Sequence, residues 1–350
     1  MSRFRARATV FFLTAALGCT TAAVPALTAA AQPRAAGSTS VTPLASGWLA
    51  GQLVQGSHFV SVYDKVTSPA QGETIDAILA FAAAKDQNAA GAKAIAWLEQ
   101  SSVLTGYIGA GTESYAGATA KLALAAEVRD YNPTHFGKVN LIARLGKLLT
   151  RSGRYSDHSA YGDYSNAFSQ ALAIIALSRH GGAPAKAVSF LISSECKNGG
   201  YPLDFGQKKC VSDTDATAMD AQALLAVGQR TAALRGLKWL ASVQQSNGGF
   251  DAVGAKSPNA NTTGLAGEAF AAAGQSHEAA LAAKFLTSLQ LGCSVPSTER
   301  GALTYDKTGY NVSNAVDATA QGILGLADVS LAKLSSHGSG NTTMRLVCAG

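Results

Sequence analysis

Two kinds of apolar pattern alternate along this chain. In segments such as 233–243 (ALRGLKWLASV) the apolar residues cover part of the helical circumference, which predicts helices with one wet face. In 216–227 (ATAMDAQALLAV), 118–126 (ATAKLALAA) and 318–327 (ATAQGILGLA) apolar or small residues run nearly all round, which predicts helices buried inside. Their alanines allow close helix approach at little cost in helix propensity. No run of alternating β-branched residues follows residue 60, so few strands are expected.

The alternation is periodic. A ring or long side chain followed by leucine stands at Trp48-Leu49, Trp97-Leu98, Arg144-Leu145, Phe190-Leu191, Trp239-Leu240 and Phe285-Leu286, at intervals of 49, 47, 46, 49 and 46 residues. A second ring follows each anchor: Phe59, Tyr107, Tyr155, Tyr201, Phe250 and, set later by an insertion containing Cys293, Tyr305. The clearest copy is RGLKWLASVQQSNGGFD (235–251), a helix leading through Gln244-Gln245 into an Asn247-Gly248-Gly249 turn that presents Phe250. Such a period marks units that cannot bury their apolar faces alone and must stack. Two helices in each of six units predict twelve. The expected fold is all-α, an (α/α)6 toroid with wetter helices around apolar ones, because closure removes the polar end caps that an open superhelix needs.

Along the chain we expect a signal peptide at 1–31, a flexible spacer at 32–43, the toroid at 44–333 and a tail at 334–350. The first segment is basic at Arg3, Arg5 and Arg7, then apolar from about Ala8 to Val24, and ends in Ala29-Ala30-Ala31, an A-x-A cleavage site. A lipoprotein box at Leu17-Gly18-Cys19 is the lesser alternative, with Ala16 where leucine is usual. The expected location is secreted, with no transmembrane segment after signal removal. Without residues 1–31 the formal charge falls from +6 to +3, which gives no reason to invoke nucleic acid or a membrane surface. Four cysteines remain, an even number that favours two disulfides in an exported chain. Cys196 and Cys210 bracket one turn, and Cys348 would staple the tail to Cys293. No cysteine or histidine spacing suits zinc, so neither metal nor cofactor is expected.

Taken together, Arg235, Trp239-Leu240, Gln244 and Gly248-Gly249-Phe250 resemble the glutamine–tryptophan repeat of squalene cyclases and protein prenyltransferase β subunits, with Phe250 where the cyclases usually have Trp. Asp215-Ala-Thr-Ala218, repeated as Asp317-Ala-Thr-Ala320, is similar to the start of that superfamily's inner helices, a pattern also found in the helical domain of cobalamin-carrier proteins. The resemblance covers roughly residues 45–330. It implies the toroid and far less about chemistry, since one fold hosts many functions. Prenyltransferase action is disfavoured, because its zinc needs a cysteine ligand and the cysteines here are committed elsewhere.

Several residues are candidates for a site. Asp213-Thr-Asp-Ala resembles the Asp-x-Asp-Asp acid of type II terpene cyclases, which would make Asp215 the group that protonates an alkene. Ala216 replaces the third acid, and so strong a carboxylic acid needs neighbours to hold its proton and stabilise its conjugate base. The competing reading makes Asp213 or Asp215 a helix N-cap, with Asp317 repeating it. Asp220 shares a helix stripe with Asp213 and Thr217 and calls for a polar partner or a wet cavity. Glu268 and Lys121 are isolated charges on inner helices that could reach the same cavity. In the third repeat the loop Tyr155–Tyr164 gathers Asp157, His158, Tyr161 and Asp163, suited to orienting a sugar or to acid–base work. Tyr201 and Phe250 could line a ligand cavity, or plug the junctions between units while Gln244 bonds free backbone groups at helix ends.

The function expected is binding: a monomeric exported ring that captures a small molecule or a cell-surface partner in its central cavity or on its loop face. The alternative is an enzyme, either terpene-cyclase-like through Asp215 or a carbohydrate-active lyase or hydrolase acting through the third-repeat loop, with His158 as its catalytic residue.

Overall fold

A computed structural model describes residues 41–342 and 344–348; the expected signal peptide and most of the expected spacer lie outside them. Numbered in chain order, the six leucine anchors fall in α1 (Val41–Gly51), α3 (Asn88–Leu98), α6 (Leu141–Leu148), α8 (Ala185–Ser193), α10 (Arg230–Ala241) and α12 (Ser276–Thr287). The alanine-rich helices are α2 (Gln71–Ala84), α5 (Ala116–Val128), α7 (Ala167–Arg179), α9 (Thr214–Ala226), α11 (Ala260–Ala273) and α13 (Val312–Leu326). These six pack on one another in order, and α13 returns to α2, so the inner ring closes. Where α11 meets α13 the approach is tightest: a Cβ on Gly325 would lie 2.6 Å from the Gly264 Cα. The fold is an α/α toroid.

Two details differ from the expectation, while the few strands expected are found. The chain is helical from Val41 rather than after residue 43, because Pro43 stands in the first turn, where its missing N–H is not needed. A thirteenth helix, α4 (Ser101–Ile108), fills the connection from α3 to α5. Two short antiparallel sheets are present, a hairpin of β1 (Phe59–Tyr63) with β2 (Val66–Ala70), and β3 (Tyr201–Pro202) with β4 (Ser212–Asp213).

One hydrogen bond recurs around the ring and sets its register. In five of the six repeats the backbone N–H of the residue after the turn donates to a side-chain oxygen on the outward face of an inner helix: Phe59 to Thr74, Tyr155 to Gln170, Tyr201 to Thr217, Phe250 to Thr263 and Leu303 to Thr319, at 2.8–3.0 Å. Thr119 holds the matching place on α5 and donates to Tyr115 O. In the sixth repeat Leu303, not Tyr305, therefore holds this place. The rings in this series are packing elements. Tyr201 and Phe250 are fully buried, which corrects their candidacy as ligand contacts: both sit between the inner and outer helices.

The glycine turns join neighbouring outer helices. Gly248 has φ +89°, and a Cβ there would overlap the Leu281 carbonyl of the next outer helix. Gln244 Nε2 donates to the Gly248 carbonyl and to Glu278 O on that helix, both at 3.0 Å. Gln290 repeats this at the seam, donating to Gly301 O at 3.1 Å and to Val41 O of α1 at 2.8 Å.

One end of the ring is stopped. Leu331 and Leu334 are buried against the inner-helix core. Gln222 of α9 accepts from Leu331 N, and Arg179 at the end of α7 donates to Leu331 O and Ala332 O at 3.0 and 2.9 Å. The segment continues past Val128, whose carbonyl takes Ser336 N, to the residues after α2, where Asn88 N bonds Gly340 O. Cys293–Cys348 anchors its far end, and Cys196–Cys210 ties the fourth turn. The expected tail is thus a plug across the C-terminal ends of the inner helices.

Candidate functional site

The outward register fixes which side chains face the axis. With 100° per residue, positions two before, two after and five after each outward Thr or Gln point the opposite way. At the N-terminal end of the inner helices these are Gly72, Gly117, Phe168, Asp215, Asn261 and Asp317. One turn deeper come Asp76, Lys121, Leu172, Met219, Leu265 and Gln321, and deeper still Leu79, Leu124, Ile175, Gln222, Glu268 and Leu324. Exposure falls with depth. Several residues of the first two tiers remain part-exposed, whereas the whole third tier is buried above the Leu331 plug. The accessible axial surface is therefore confined to the N-terminal ends of the inner helices, where it outlines a pit.

Polarity divides its wall. On α2 and α5, Lys121 Nζ donates to Asp76 at 2.7 Å and to Gly72 O at 3.2 Å, so this cation is already paired. On α13 the carboxyl of Asp317 is pushed up to about 7 by burial first, then by Asp76 and Glu73, against the opposing pull of Lys121. Across the ring, Asp215 is 6% exposed and its carboxyl is raised by burial and by Asp213, with a Thr262 hydrogen bond pulling the other way. Its Oδ1 has no hydrogen-bond partner, nor has Glu268 Oε1. At the floor Gln222 Nε2 donates to Glu268 at 3.1 Å, and burial raises this carboxyl to about 8. Phe168, Leu172, Met219 and Leu265 make the remaining wall apolar.

The other candidates lie elsewhere. Asp213 is the N-cap of α9, its Oδ1 accepting from Ala216 N at 2.7 Å, so the capping role replaces its candidacy as a ligand contact. Asp317 is not a cap, because Asn311 caps α13 and places Asp317 well inside the helix. Asp220 faces away from the axis; it is fully buried, neither oxygen has a hydrogen-bond partner, and burial raises its carboxyl well above the usual range. It therefore has no route to a ligand in the pit.

The third-repeat loop is tied down by its own acids. Asp157 accepts from Ala116 N at 2.7 Å at the start of α5, and Asp163 pairs with Arg154 at 3.0 Å and accepts from Asp157 N. His158 and Tyr161 are exposed. His158 borders an outer-surface cleft of about 610 Å³ with Glu113, Lys138, Arg144 and Lys147, separate from the pit. Asp76 and Asn261 are pit residues that motif reading missed, and Asp317 is one that it read only as a helix cap. Counting two positions to either side of each register residue would have found them.

No family model matches the sequence, and no curated protein does. Solved structures do share the fold. The type II terpene cyclase MstE from Scytonema is similar with a TM-score of 0.59 at 13% identity, over 83% of this chain and 97% of that one. A novel alpha-amylase from Clostridium perfringens gives 0.60 at 13% identity, over 85% and 99%. Haptocorrin in complex with Cbi gives 0.50 at 15% identity, over 86% and 70%. At these identities the likeness is one of fold.

Proposed function

We propose that this chain is an exported binding protein that captures a small molecule in its axial pit. The observation that carries the reading is the loss of exposure with depth: part-open tiers of mixed polarity above a fully buried tier and a plug. Enclosed, mostly apolar recesses with a few convergent polar groups are the usual form of a ligand site. Two disulfides, and among the described residues no helix long and apolar enough to cross a membrane, support export. Haptocorrin, in complex with Cbi on a similar fold, supports a binding role.

The experiment is a thermal-shift panel of small molecules on the intact protein and on Gly72→Trp. A Cβ at Gly72 meets nothing nearer than the Tyr107 hydroxyl at 3.8 Å, so a side chain can start there without a backbone clash and extend into the mouth. Ligands should stabilise the protein and lose that effect in the variant. A panel without hits, or hits insensitive to Gly72→Trp, would count against the pit.

A second reading has its own support. Asp215 stands at an axial position, and burial and Asp213 raise its carboxyl well above the usual range, the direction that an acid acting on an alkene needs. MstE from Scytonema shows that this fold serves a type II terpene cyclase. Turnover of a polyprenyl substrate, lost in Asp215→Asn with folding intact, would decide for this reading. The aromatic lining that stabilises carbocations is sparse here, and Phe168 is the one aromatic residue at the axial positions.

A further inference from the structure

We propose that the ligand of the pit is a small amphipathic organic cation, an ammonium group on an apolar body, held at the mouth by Asp215, Asn261 and Asp317. The inference rests on the binding function proposed above and names its ligand class. Three consecutive helices of the ring, α9, α11 and α13, present these side chains in one tier. All three offer acceptor oxygens. The Oδ1 atoms of Asp215 and Asn261 are buried without a hydrogen-bond partner, and Asp215 is more than nine-tenths buried. Buried acceptors in that condition are costly unless a donor arrives.

Charge points the same way. The one cation at the axial positions, Lys121, is engaged by Asp76 and Gly72 O. Glu73, in the first turn of α2, adds to the negative field on Asp317. An incoming ammonium would favour the ionised forms of Asp215 and Asp317, which burial alone disfavours, and an incoming carboxylate would find no free cation at the axial positions. A bare metal ion fits less well, since among the described residues no three His, Cys, Asp or Glu side chains are placed to hold one. Next to the acids, Met219, Leu265 and Leu172 are apolar and keep 2%, 8% and 8% of their surface exposed, a border that suits a hydrocarbon or ring body rather than a polyamine. Gly72, where a Cβ would meet nothing nearer than 3.8 Å, leaves room beside the head group on the opposite wall.

The test uses three probes of one shape: 4-phenylbutylamine, 4-phenylbutanol and 4-phenylbutanoate, titrated calorimetrically into the intact protein near neutral pH. The amine should bind at least tenfold more tightly than the alcohol, and the carboxylate should not bind. Asp317→Asn should remove the preference for amine over alcohol, bringing the two affinities together. Asp215→Asn repeats the comparison from the other side, and an unaltered melting temperature confirms folding in each variant. Equal binding of alcohol and amine, a preference for the carboxylate, or displacement of the amine by calcium or magnesium chloride would overturn the ligand class and leave the binding function standing. If none of the three binds, and the neutral dye Nile red gives the same signal with the parent and with Gly72→Trp, the pit itself fails and both readings fall.

Discussion

The side-chain amide of Gln290 lies 2.8 Å from the Val41 carbonyl and so ties the last repeat to the first helix. It does at the seam what Gln244 does between consecutive repeats, where the acceptor is Glu278 O. Each glutamine also holds the carbonyl of its own glycine turn. Gln290→Ala and Gln244→Ala should therefore cost similar amounts, about 1–2 kcal/mol each in urea unfolding. A seam that contributed nothing would leave Gln290→Ala at parental stability.

At Gly248 the backbone and the neighbour both exclude a side chain. The φ of +89° lies in the left-handed region, and a Cβ would overlap the Leu281 carbonyl. Gly248→Ala should destabilise by more than about 2 kcal/mol, combining backbone strain with a clash. Gly254→Ala is the control. Its φ of +83° carries the same strain, but nothing lies within 4 Å of a Cβ. Denaturation midpoints should separate the two, and equal losses would remove the packing argument.

Buried Glu268 sets a direction for the pH dependence of stability. Burial raises its carboxyl from 4.5 to about 8, so the folded chain keeps a proton that the unfolded chain has released. Its contribution to stability is full below about pH 4.5, declines as pH rises toward 8, and is flat above that. Melting temperature should fall between pH 5 and 8 more steeply for the parent than for Glu268→Gln, which keeps the contact with Gln222. Parallel profiles would show that the carboxyl ionises as freely in the fold as outside it.

The two disulfides close loops of different span, with separations of 14 and 55 residues. In the chain-entropy account they contribute about 3 and about 4 kcal/mol. Replacing Cys293 and Cys348 together by serine should cost more than replacing Cys196 and Cys210. It should also speed hydrogen exchange at Ser336 and Gly340, whose amides hold the plug to the inner helices. Unchanged exchange there would mean that the plug is secured without its staple.

Much of the architecture was legible because repetition averages out local ambiguity. Six leucine anchors at near-constant spacing predicted the outer helices, and the ATA segments around Thr119, Thr217 and Thr319 predicted three of the inner ones. Tyr305 was misplaced because ring chemistry, rather than the amide bonded by the inner helix, was used to mark position; Leu303 makes that bond. The cap at Asp213 was readable from its place before a buried helix. The site was harder. Asp317 and Asp215 share a visible Asp-Ala-Thr-Ala motif, but that both precede an outward threonine by two, and so face one axis, matters only once the ring is known to close. Polar tail residues gave no sign of the plug, since its hold comes from backbone bonds and two leucines rather than from an amphipathic stretch.

Because residues 331–342 stop one end of the ring, a molecule lodged among the inner helices must leave by the door it entered. Residence time is then governed by the rim, and a second molecule cannot push the first through. Such a vessel is suited to holding cargo rather than passing it along.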